Sequence, residues 1–179
     1  MTLQEFDRNS TTLTTRSNFV FQVRAARTDD QPALAEFFTH VEKDDLRFRF
    51  LSPINTVGPH LIATLANVDH QRTENVLAID ADGTTVIASA MLAADPDGKR
   101  AEVALAIRAD YKRKGISWTL LEHVARLAEA KGIETLESIE ARDHHEAIEM
   151  EREMGFIASP APDDATLILV LLQVKLGQK

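Results

Sequence analysis

The stretch AEVALAIRADYKRKGISWTLLEHVARLAEA, residues 101–130, changes its period midway, from that of a strand to that of a helix. Residues 101–107 alternate as a strand does. Residues 108–115 gather basic side chains around Gly115. Ile116, Leu120, Val124 and Leu127 then recur at fours and threes, one face of an amphipathic helix. A glycine turn entering a helix presents backbone N–H groups that lack intrahelical partners, and the helix dipole adds positive charge at that end. The turn is therefore either an anion cradle or the solvated start of a helix, and its surroundings have to decide.

On the N-terminal side, ENVLAID (residues 74–80) and TTVIASAMLA (84–93) flank Asp82-Gly83 and read as a hairpin. A second turn, DPDGK, leads into RAEVALAIR, giving three successive antiparallel strands. FVFQVRAA (19–26) is a further strand. Thr28 and Gln31 stand at capping-box spacing before a helix that carries Leu34, Phe37, Phe38 and Val41 on one face and runs to about Lys43. Residues 46–68, LRFRFLSPINTVGPHLIATLANV, read as an irregular segment broken at Pro53 and Gly58-Pro59, then a short apolar helix. On the C-terminal side, Gly132 stops the long helix. IETLESIE is a weak strand, Ala147, Met150 and Met154 mark another helix, and ATLILVLLQV is a buried closing strand. The layout is mixed α/β: a mostly antiparallel central sheet flanked by helices. Residues 1–18, rich in Thr, Ser and Asn, are expected to be a flexible extension, with one domain over residues 19–179.

Composition narrows the function classes. The 179 residues suit one domain, and 44% hydrophobic with 27% charged residues is a globular balance. A formal net charge of -8 disfavours broad nucleic-acid binding and suits a cationic partner. The absence of cysteine excludes disulfides, thiolate catalysis and cysteine-bound zinc. With no signal-peptide pattern and no apolar run of spanning length, the expected location is the cytoplasm, away from membranes. His144 and His145 are adjacent and point to different helix faces, so no metal site is expected.

The strand before the glycine turn and the helix after it, with Lys112, Arg113, Lys114, Gly115, Ile116 and Ser117 between, resemble the central motif of the GNAT superfamily of N-acetyltransferases. DHHEAIEMEREMGF, residues 143–156, is similar to that family's second helix and its Gly-Phe ending. LRFRFLSP and AEVAL resemble the catalytic domain of bacterial protein lysine acetyltransferases. The resemblance spans roughly residues 21–174. Lys112 replaces the usual Gln or Arg, and Ser117 the usual Gly or Ala.

The resemblance implies acetyl-CoA as acetyl donor. Its pyrophosphate would lie on the amides of residues 112–117, and its pantetheine arm against the backbone of Ala104, Leu105 and Ala106, with Asp143, or alternatively His144, touching that arm. It implies Glu102 as the base for an amine acceptor, a protein lysine being the expected class. A small-molecule amine and a non-catalytic acyl-CoA-binding module are the alternatives. Relatives often carry a Tyr acid on the second helix, where this chain has Glu151. The sole tyrosine, Tyr111, lies before the turn, and no acid is assigned. Arg47 and Arg49 fit either an acidic acceptor or simple packing, Phe48 and Phe50 fit the core, and Trp118 is expected to pack. Homodimerisation is expected by analogy alone.

Overall fold

The computed structural model describes residues 10–174, the outer ends of the expected extension and of the domain lying outside the described residues. Eight strands form one sheet in the order β1-β2-β3-β4-β5-β6-β8-β7. They are β1 (Thr11–Thr14), β2 (Val20–Ala25), β3 (Thr73–Ile79), β4 (Val86–Ala94), β5 (Arg100–Ile107), β6 (Thr135–Ala141), β7 (Ile157–Pro160) and β8 (Leu167–Gln173). Helices α1 (Gln31–Thr39), α2 (Lys43–Phe50) and α3 (Pro59–Ala66) follow β2, α4 (Ile116–Ala130) follows β5, and α5 (His145–Glu153) follows β6. Every strand pair is antiparallel except β5 with β6.

Strand alternation sends side chains to two cores. Leu120, Val124 and Leu127 of α4 pack with Val76, Ile87, Val103 and Leu136 on one face. Leu34 and Phe37 of α1, Leu46 of α2 and Leu65 of α3 pack with Leu77, Ile79 and Ala106 on the other. The two faces carry different helices because each loses one parity of side chains from every strand.

Two expectations are corrected, and one strand is added. Within the stretch assigned to the extension, Thr11–Thr14 is an edge strand in register with β2, Thr11 opposite Val23 and Thr14 opposite Val20. Its Leu13 packs on the core while β-branched threonines fill the rest of the strand, so polarity masked a strand pattern. Residues 15–19 are the tight turn that joins it to β2, with Thr15 N–H donating to Phe19 O at 2.9 Å. The boundary at residue 18 therefore falls inside the fold. The Arg/Phe alternation of residues 46–50 is helical, because Leu46 belongs to the core under α1 and Phe50, one turn on, meets Phe38 with centroids 5.8 Å apart. Helix α2 ends at Leu51, φ 48°. The added strand is β7, short, closed by Pro160 and carrying the largely exposed Ile157, with none of the alternation that marks a half-buried strand.

Candidate active site

Strands β5 and β6 pair only over Arg100, Ala101 and Glu102, opposite Thr135, Leu136 and Glu137. Beyond that register β5 continues with β4, and β6 continues with β8, so the two separate into a fork. The edge of β5 past Glu102 carries main-chain groups with no strand partner on the β6 side, an edge of the kind an amide-bearing ligand can join. A cleft of about 580 Å³ occupies the fork. Ala104, Leu105 and Ala106 line it, together with Phe48 and Arg49 of α2, the start of α4, and Met150 and Glu151 of α5.

At the end of β5 the chain turns through Arg113 (φ 63°) and Gly115 (φ 79°) into α4. No side chain caps α4, so its first-turn amides face the cleft mouth without that partner. Lys112, Arg113, Gly115, Ile116 and Ser117 all line the cleft. Ser117 is the second residue of α4. Lys114 is turned the other way: its ammonium lies 5.0 Å from the Phe19 ring centroid, and its carbonyl accepts from Ser17 Oγ at 2.8 Å. Lys112 brings less free charge than its sequence suggests. Its Nζ sits 2.7 Å from Glu42 Oε2 and 2.5 Å from Asp45 Oδ2. Burial pulls its pKa down, and the bonds from the two carboxylates outweigh that and raise it.

Glu102 stands at the branch of the fork, on the strand parity of Ala104 and Ala106 and thus on the α2 side of the sheet. It reaches solvent, yet its pKa is raised, first by desolvation on its inner side, then by the charge of Glu137, with Arg49 opposing. Arg49 is itself half-buried beside Met91 and Phe50, and desolvation lowers its pKa to about 10. Asp143 is placed differently from its expected role: it is exposed, and its carboxylate accepts from Arg47 at 3.0 Å. His144 lines the cleft instead, stacked on Phe48 with centroids 4.1 Å apart. Tyr111 lines the cleft too, but its hydroxyl donates to Asp80 at 2.5 Å, and its pKa is raised to about 12 chiefly by that bond. Trp118 lies under Arg16, 4.0 Å from guanidinium carbon to ring centroid.

The residue left without a role by the sequence is Glu151. It is 3% exposed, lines the cleft, and has Oε2 without a hydrogen-bond partner. Its pKa is raised to about 8, by desolvation first and then by the charge of Glu140, with the Ser138 hydrogen bond opposing. A signal was present: Glu151 falls at i+4 on the stripe of Ala147, Met150 and Met154, a carboxylate on an apolar helix face. Ser138 and Glu140 carried no comparable signal, because their strand alternates weakly.

The model of the acetyltransferase (GNAT) family matches residues 35–156. An acetyltransferase of Pseudomonas aeruginosa is 25% identical over 150 residues, 82% of this chain and 80% of its own length. Among solved structures, the GNAT domain of S. lividans PAT is similar with a TM-score of 0.84 at 19% identity, over 92% of this chain and 96% of that one. The spermidine N-acetyltransferase of Vibrio cholerae, solved with CoA and spermine, gives 0.70 at 14% identity, over 86% and 95%. These structural likenesses establish a shared fold.

Proposed function

The chain belongs to the acetyltransferase (GNAT) family, and on that premise we propose that it moves the acetyl group of acetyl-CoA to the side-chain amine of a protein lysine, with Glu102 as base. The observation that carries this reading is the fork itself: an unpaired β5 edge, an uncapped helix start at one end and a carboxylate at the branch. The edge accepts the amides of the donor's arm, and the first turn of α4 receives its pyrophosphate through main-chain N–H groups rather than through Lys112.

A lysine amine is neutral in only about one molecule in 10³ near pH 7, so its activation has to supply about 4 kcal/mol. Glu102, with its raised pKa, removes the proton that the nitrogen loses as it attacks the thioester carbon. A lysine side chain is an apolar stem with a charged tip. The cleft offers Phe48, Leu51 and Ile139 for the stem and Glu102 for the tip. The same carboxylate suits a polyamine, the class named for the Vibrio cholerae neighbour.

The test is initial-rate measurement with acetyl-CoA against candidate proteins and a panel of small amines. Protein lysine acetylation is the expected result, and turnover confined to small amines would move the acceptor to that class. Donor binding without any turnover would leave an acyl-CoA-binding module. Glu102→Gln should lower kcat at least about tenfold while the Kd for acetyl-CoA stays within about twofold. An unchanged kcat would remove Glu102 from the base role.

A further inference from the structure

Of the two arginines on α2, one is paired and the other is not. Arg47 donates to Asp143 at 3.0 Å and lies over the Phe48 ring, 4.4 Å from guanidinium carbon to centroid. Arg49 lines the cleft, and among the described residues no carboxylate forms an ion pair with it. Its Nη2 donates to Met91 Sδ at 3.4 Å, its guanidinium carbon lies 4.8 Å from the Phe50 centroid, and its Nε is buried without a hydrogen-bond partner. A thioether is a weak acceptor and a ring face holds a cation loosely, so the protein leaves most of the five N–H donors of this guanidinium unmet.

The register places that group close to the proposed base. Met91 of β4 stands opposite Ala104 of β5, one same-face step of about 7 Å along the strand from Glu102. Met91, Glu102 and Ala104 share the α2 side of the sheet, and the charges of Glu102 and Arg49 act on each other there without forming an ion pair. Ala104 lines the cleft with a single methyl group, so the step between the two charges is open to a ligand. Other carboxylates of the cleft are engaged: Glu42 and Asp45 hold Lys112, and Glu140 meets His144. With its pKa at about 10, Arg49 stays a cation near neutral pH, and no counter-ion in contact offsets the cost of its desolvation.

We propose that Arg49 receives a carboxylate that the acceptor carries beside its amine, which in a protein selects a lysine flanked by aspartate or glutamate. The proposal rests on the acetyl-transfer reading above and names the acceptor class within it. The anion comes with the acceptor because the acyl group of acetyl-CoA is uncharged, and on that reading the phosphates of the donor go to the start of α4. A guanidinium meets a carboxylate through two parallel N–H bonds, which fixes the orientation of the acceptor as well as matching its charge. Pairing also neutralises the charge that opposes the raised pKa of Glu102, so an acceptor that fits strengthens the base that deprotonates it.

The experiment measures initial rates with acetyl-CoA on two acceptor pairs. One pair is a lysine peptide with glutamate on both sides of the lysine and the same peptide with glutamine there; the other is 4-aminobutyrate and butylamine. Wild type should favour the carboxylate member by about tenfold or more in kcat/KM, and the pair that shows the preference tells a protein acceptor from a small amino acid. Arg49→Met should bring that ratio to within about twofold. Should Arg49→Met fail to fold, Arg49→Lys, which keeps the charge but not the planar fork, should still lower the ratio at least about threefold. A wild type indifferent to the carboxylate in both pairs, or variants that slow both members of a pair alike, overturns the proposal and leaves the acetyl-transfer reading intact. Transfer from succinyl-CoA as fast as from acetyl-CoA, and lost in Arg49→Met, assigns the carboxylate to the donor's acyl chain and also overturns it. A wild-type chain that acetylates no acceptor overturns both.

Discussion

At the scale of single residues, the site separates charge from function. Lys112 supplies positive charge in the sequence, but Glu42 and Asp45 already hold its ammonium. On the proposed reading the main-chain amides at the start of α4 receive the donor's phosphates, and they need no particular side chain. Lys112→Met should change the acetyl-CoA Kd by less than about threefold, because an ion pair already made at the surface has little to give a ligand. Glu42→Gln combined with Asp45→Asn frees the ammonium and should tighten donor binding severalfold; calorimetric titration of the three chains reads both effects. Asp143 shows the same separation: its position in the sequence suggested a ligand contact, and the fold gives its carboxylate to Arg47.

At the scale of elements, the turn between β5 and α4 is set by a contact from far along the chain. Gly115 has φ +79°, and a Cβ there would stand 3.2 Å from Thr15 Cβ, in the turn between β1 and β2. Ser17 binds the neighbouring carbonyl of Lys114, so the first hairpin buttresses the loop from behind. Gly115→Ala combines a left-handed backbone with that close approach and should cost about 1–2 kcal/mol. It should also weaken acetyl-CoA binding, since the amides move with the backbone; thermal unfolding with and without donor measures the two effects together. The glycine and the helix after it were readable from residues 108–127. Thr15 was not, because its 100-residue separation from Gly115 leaves no periodic trace.

At the scale of the whole molecule, Glu74 is 1% exposed at the start of β3, held by Lys131 at 3.1 Å from the end of α4 and by His70 at 2.9 Å. Lys131 also donates to His70 O at 3.0 Å, so one ammonium ties the loop before β3 to the helix that lies over the site. Lys131→Met should destabilise the fold by about 3–5 kcal/mol, since a buried carboxylate loses its counter-charge; denaturant titration checks it. Most strands, the hairpins and the long helix were legible because local alternation and 3.6-residue periodicity report burial directly. Helix α2 was read as an irregular segment because alternating Arg and Phe show no helical period, and Phe50 meets Phe38 only in the fold. Residue patterns along the chain were enough for the alternation of elements, the glycine turn into α4 and the placement of Glu102 on a strand. The parting of β5 and β6 after Glu102, the pairing of Lys112 with Glu42 and Asp45, and the burial of Glu151 near Glu140 emerge only in the folded chain. Each of these depends on which distant segments meet, and register, desolvation and charge pairing are properties of such meetings rather than of neighbours along the chain.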